Sequence, residues 1–115
     1  EKRNKKSIKR ENAVNKIIPV KTNEIAFFST ETKGTSFTTF ANEKYRVNYP
    51  LDELEEMCGI QFYRASRQYL VNKTAVKEVM HYGLRKLFVV LTVQTNAEIM
   101  INKTKITDFL NWLKD

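Results

Sequence analysis

Cysteine and histidine each occur once in this 115-residue chain, as Cys58 and His81. A single thiol excludes an intrachain disulfide. A single imidazole makes a zinc cluster or a cysteine–histidine catalytic pair hard to build. Glycine is nearly as scarce, with three residues, and neither GxGxxG nor a Walker A pattern occurs, so no phosphate-cradling glycine loop is expected. No apolar run approaches the ~20 residues that span a bilayer, and the polar, basic first segment lacks the apolar stretch of a signal peptide. These absences predict a cytoplasmic protein with no membrane segment. Glu1 in place of an initiating methionine implies a longer parent chain.

What is present fits one globular domain with a modest core: 42% of residues are hydrophobic and 29% charged. The net charge of +7 is unevenly spread. Residues 1–16 hold seven Lys or Arg against two acids, whereas Asp52, Glu53, Glu55 and Glu56 crowd four acids into one five-residue run. A basic balance suits exchange of condensed counterions for Lys and Arg on nucleic acid. Most of it here lies in residues 1–15, which have isolated apolar positions and no period, and read as a flexible basic linker ahead of a domain at 16–115.

From Ile17 to Tyr49 the pattern is of short β-rich pieces: KIIPV and EIAFFS, a turn around Thr32-Lys33-Gly34, then TSFTTF and KYRVNY. Pro19 predicts an edge strand or a bulge. Past Pro50 the period becomes helical, with Leu51, Leu54 and Met57 or Cys58 on one side, acids in the first turn and Gly59 as the stop. AVKEVM, RKLFVVLTV and AEIMI read as three further strands. The apolar run Leu87–Leu91 suits burial on both faces, and Gln94-Thr95-Asn96 suits a hairpin turn. Ile106, Phe109, Leu110 and Leu113 then form a helical stripe with Trp112 at its margin.

Few of these residues could carry catalysis. The acids at 52–56 are expected to be the solvated face of a helix, His81 a surface residue in a turn, and Cys58 a small buried hydrophobe. No convergent acid, base and nucleophile can be named, so a non-enzymatic protein without cofactor or metal is expected. The stretch FYRASRQYLVN, residues 62–72, is different. Aromatics at both ends can anchor a loop that presents Arg, Ser and Gln, which are groups able to bond base edges or phosphate. The plainer reading is that its arginines pair with the helical acids.

This stretch resembles the central motif of LytTR-type DNA-binding domains of bacterial response regulators. The acidic helix LDELEE at 51–56 precedes it, AVKEV at 75–79 follows it, and INKTKITDFLNWL at 101–113 is similar to the family's closing strand, loop and helix. The likeness runs collinearly over about residues 17–115. It departs from the family at Ser66, where His or Asn is common, and at Lys103, where Arg is common.

The resemblance implies a mostly β, elongated fold of stacked antiparallel sheets, with one short central helix and a C-terminal helix. It implies binding of double-stranded DNA, commonly direct repeats, by loops entering successive major grooves. The domain would then be the output of a two-component regulator, downstream of a receiver domain and able to pair on DNA. Mapped by motif, the base-reading residues are Arg67 first, with Ser66, Gln68, Lys103 and Thr35. Lys33, Arg64, Lys73 and Lys105 fall to phosphate or positioning contacts. The competing expectation is a non-catalytic module in which Phe62, Tyr63 and Tyr69 are exposed as a stacking platform for single-stranded nucleic acid or a peptide.

Overall fold

A computed structural model of the chain describes residues 7–11, 17–95 and 97–115. Among them lie ten strands and two α-helices in a body of 48 × 26 × 23 Å. β1 (Ser7–Glu11) and β2 (Ile17–Lys21) form an antiparallel pair that sets Lys9 opposite Pro19, and β2 has no second partner among the described strands. A proline lacks the amide that a second partner would require, so an edge is where it fits. The stretch read as a flexible lead-in thus contains a paired strand at 7–11, while its other residues lie outside the described ones.

The central sheet has five strands, β3 (Ile25–Glu31), β4 (Gly34–Thr39), β5 (Lys44–Val47), β6 (Phe62–Arg64) and β7 (Tyr69–Asn72), ordered β5-β4-β3-β7-β6 and antiparallel throughout. A register shift between Ile25 and Phe27 breaks the alternation of β3, so the neighbours Ala26 and Phe27 enter one core while Ile25 and Phe28 enter the other. On one face Phe28, Phe37, Phe62 and Leu70 meet Leu51 and Leu54 of α1 (Leu51–Cys58). On the other, Phe27, Tyr69 and Val71 meet a second sheet and α2 (Ile106–Lys114). Burying a side chain such as Phe28 is worth roughly 2–3 kcal/mol, so these two apolar layers hold the sheet from both sides.

α1 begins after Pro50 with Asp52 and Glu53 in its first turn, where carboxylates complement the helix dipole. It stops at Gly59, whose φ of +70° and ψ of −156° only glycine adopts readily. α2 buries Phe109 completely, with Ile106, Leu110 and Leu113 packed around it as the helical stripe predicts. Trp112 lies against Phe109 and Tyr63, with ring centroids 5.6 and 5.1 Å away, and its indole N–H donates to the Ile60 carbonyl. The ammonium of Lys73 sits 5.2 Å from the centre of its ring.

The second sheet comprises β8 (Val76–Tyr82), β9 (Lys86–Leu91) and β10 (Ile99–Asn102), ordered β10-β9-β8. Here the expectation for Leu87–Leu91 needs correction. Leu87, Val89 and Leu91 are buried, but Phe88 and Val90 are only half-buried, because nothing among the described residues covers the outer face of this sheet. Met80 and Tyr82 are exposed on that face, and Tyr82 meets Phe88 edge to face at 5.0 Å. β9 and β10 do pair antiparallel, but residues 92–98 join them by a longer connection than the turn expected at Gln94-Thr95-Asn96, and Asn96 lies outside the described residues.

Candidate nucleic-acid interface

The central motif folds as a hairpin, and burial decides which of its side chains face outward. Phe62 on β6 and Tyr69 on β7 are 4% and 6% exposed, and Ala65 is buried between them. Tyr63 packs on Phe109 and Trp112, at 5.3 and 5.1 Å. The platform expected from these three rings is therefore unavailable: Phe62 and Tyr69 lie in the two cores, and Tyr63 is turned onto α2. Arg67 and Gln68 are the exposed residues at the tip, and no hydrogen bond or ion pair among the described residues engages the Arg67 guanidinium.

The loop's backbone is held from several directions. The Ala65 amide donates to the Tyr69 carbonyl at 3.0 Å, and the Gln68 amide donates to Ser66 Oγ at 3.2 Å. The Thr30 amide donates to the Gln68 carbonyl at 3.0 Å, which joins the tip to β3. Ser66 is half-buried, with its hydroxyl oxygen already serving the turn.

Arg64 is placed inward. Its Nε donates to the Ser66 carbonyl at 2.9 Å and its Nη2 to the Arg67 carbonyl at 3.0 Å, while Nη1 meets Asp52 at 2.7 Å and Glu55 at 3.3 Å. A planar guanidinium with five donors suits such a fork. The arginine expected at phosphate is thus engaged by α1 and by its own loop, and for Arg64 the plainer reading, an arginine paired with the helical acids, is the one the structure bears out. Asparagine does comparable work at the base of the hairpin. Asn72, 1% exposed, donates to the Ile25 carbonyl at 2.9 Å and accepts from Gln61 Nε2 at 2.8 Å and from the Thr74 amide at 3.1 Å. Sequence patterning gave no sign of that role, because an Asn within an alternating strand reads as an outward position.

The β3–β4 turn exposes Thr32, Lys33 and Gly34, the last at φ +122°. Thr35 corrects an expectation: it is 8% exposed in β4, opposite Thr30 and Val47, so its hydroxyl is not offered to a groove. Arg46, which no motif singled out, donates to the Lys33 carbonyl and fixes the turn from β5. Alongside it, Lys44 pairs with Glu31 at 3.1 Å.

After β10, residues Lys103–Lys105 make one tight 3-10 turn leading into α2, with Asn102, Lys103 and Lys105 all exposed. Lys105 Nζ lies 3.3 Å from the Arg64 carbonyl and 5.7 Å from the centre of the Tyr63 ring. Ser66, Arg67, Gln68 and Thr30 share one open groove with Met100 and Asn102, and Gln68 shares a second with Glu31 and Thr32. The central loop therefore lies beside Thr32 of the β3–β4 turn and Asn102 at the end of β10, the residues next in sequence to Lys33 and Lys103.

Burial raises the Cys58 thiol to about 11 and also raises Tyr63, whose hydroxyl is further held protonated by Asp108. Tyr69 is raised too, by burial first, against a backbone hydrogen bond with Ala97. Among the described residues no group of three or more His, Cys, Asp or Glu could hold a metal, and no helix is long and apolar enough to cross a membrane.

Packed antiparallel sheets with two short helices and basic residues in the exposed loops at their strand ends define a mostly β class of domain. The chain belongs to the LytTr DNA-binding domain family, whose model matches residues 15–114. It is 35% identical over 65 residues to the sensory transduction protein LytT of Oceanobacillus iheyensis, a match covering 56% of this chain and 26% of that protein. The chain therefore spans about a quarter of that relative. Its fold is similar to the LytTr DNA-binding domain of a Bacillus cereus protein described as a methyl-accepting/DNA response regulator, with a TM-score of 0.78, 15% identity, and coverage of 96% of this chain and 98% of the other.

Proposed function

We propose that this chain supplies sequence-specific recognition of double-stranded DNA as the output domain of a cytoplasmic two-component response regulator. Residues 1–15 would then join it to a receiver domain, and residues 16–115 would form the reading unit. The observation that carries this reading is the contrast within one hairpin. The backbone and aromatics of residues 62–69 are pinned, and Arg67 and Gln68 alone project from the tip.

Arg67 is the principal base reader, since a free guanidinium on a rigid tip can bond guanine O6 and N7 together. Gln68 and the Ser66 hydroxyl act beside it, and Lys103 reads from the turn after β10. Lys33, Lys73 and Lys105 supply phosphate contacts that set position without sequence information. Loops flanking the tip enter neighbouring major grooves, and two copies occupy a pair of direct repeats. No catalytic step is assigned.

Selection of bound duplexes from a random pool tests the proposal. Enrichment of a spaced direct repeat is expected, and absence of any enrichment at low salt sinks it.

A further inference from the structure

Asp52 and Glu55 are one helical turn apart on α1 and converge on a single guanidinium. That guanidinium, on a side chain only 19% exposed, also donates to two points of the reading loop, the carbonyls of Ser66 and Arg67. Its third nitrogen is what the carboxylates hold. We infer that Asp52, Glu55 and Arg64 form a positioning device for base discrimination: the α1 acids orient Arg64, and Arg64 fixes the backbone from which Arg67 projects.

Three features separate this role from simple surface pairing. First, the acids lie beside a DNA-reading loop, where carboxylates repel phosphate and oppose non-specific affinity. Their placement there is explained if they act on the loop. Second, Arg64 receives a different partner at each nitrogen, so rotation of its side chain would release both loop carbonyls together. Third, the Arg64 carbonyl itself accepts from Lys105, and the Gln68 carbonyl accepts from the Thr30 amide. The loop is thus braced at its start by the turn after β10, in its middle by Arg64, and at its end by β3.

Bidentate base contacts depend on a fixed approach of the fork to the base edge, so discrimination is the property most sensitive to a loosened tip. Phosphate attraction depends mainly on charge and survives it. The inference rests on the DNA-reading proposal, and its test separates the two.

Binding of the chain to a duplex recovered by selection and to a random duplex is measured across salt concentrations, for the parent chain and for Asp52→Asn/Glu55→Gln, Arg64→Lys and Arg64→Ala. Parent binding without any preference for the selected duplex overturns the DNA-reading proposal itself. Given a preference, the acid variant is expected to hold random DNA as tightly as the parent or more so, because two repelling charges are gone. Its ratio of selected to random affinity is expected to fall about tenfold.

Arg64→Lys keeps the charge but cannot fork, and is expected to lose the ratio similarly, with its salt slope on random DNA unchanged. An unaltered ratio in the acid variant and in Arg64→Lys overturns the inference. So does a salt slope lower by about one for Arg64→Ala on random DNA, which marks a phosphate contact. Thermal melts run alongside show that a lost ratio comes with an intact fold, an outcome that general destabilisation does not produce.

Discussion

The hydroxyl of Tyr63 donates a 2.7 Å hydrogen bond to a carboxylate oxygen of Asp108, across 45 residues of sequence. It fastens β6, which leads into the reading loop, to α2, which follows the turn of Lys103. A net hydrogen bond to a charged acceptor is worth roughly 1.5–3 kcal/mol, less when solvent reaches it as here. Tyr63→Phe is expected to lower unfolding free energy by about 1 kcal/mol, read from urea titration.

The same pair predicts an alkaline limit. Burial, the bond to Asp108 and nearby negative charge all raise the Tyr63 hydroxyl above its ordinary value near 10. A group whose pKa is higher folded than unfolded contributes stability that is whole below the unfolded value and lost as pH climbs toward the folded one. Melting temperature is expected to fall as pH rises above 10, and to fall less steeply in Tyr63→Phe. Parallel pH curves for the two proteins would remove Tyr63 as a cause.

Cys58 offers a kinetic readout. With its thiol raised to about 11 by burial, little thiolate exists at pH 8. Reaction with an aromatic disulfide reagent at pH 8 is expected to be about a hundredfold slower in the folded chain than in urea. Equal rates would mean that the end of α1 is open to solvent.

Gly59 tests the backbone alone. A Cβ built there meets nothing within 4 Å, so any cost of Gly59→Ala comes from its φ of +70° and ψ of −156°. Such a conformation costs roughly 1–3 kcal/mol for a residue with a side chain. A loss of that size in unfolding free energy is expected from urea titration, and a smaller one would show that the stop of α1 relaxes.

On DNA, Arg67→Ala is expected to lose ~1–3 kcal/mol on the selected duplex, concentrated at one base position, with little change on random sequence. Lys33→Ala should weaken every duplex similarly and lower the salt slope by about one. Equal losses on both duplexes for Arg67 would place it among the phosphate contacts.

Much of this architecture is legible from spacing. Leu51 and Leu54 announce α1, Phe109 and its neighbours announce α2, and the alternation of Tyr45 and Val47 announces β5. In each case the side of the element that must be buried repeats at the element's own period. What spacing does not reveal is who covers a face. The run Leu87–Leu91 looks doubly buried, yet Phe88 and Val90 lie half-open, because a continuous apolar run has no period and the missing cover belongs to no local pattern.

Of the candidate site, what is legible is the loop that carries Arg67 at its tip. The aromatic bracket around Arg67 gave its location, and the resemblance gave its neighbours at Lys33 and Lys103. The separate fates of Arg64 and Arg67 were not readable, since both are arginines in one loop and only the position of α1 in space distinguishes them. Arg46 and Asn72 were missed for the same reason. Their partners, the carbonyls of Lys33 and Ile25, belong to distant backbone that no side-chain pattern encodes.

Trp112 is the single tryptophan of the chain, and its indole is bound into the join between α2 and the strand that carries the reading loop. Selective excitation of indole therefore yields a signal from one place only. With a tyrosine ring, a lysine ammonium and a backbone carbonyl all in contact with it, its emission registers undocking of α2 without any attached dye. The protein carries its own gauge of whether the scaffold beneath the loop has stayed closed while DNA arrives.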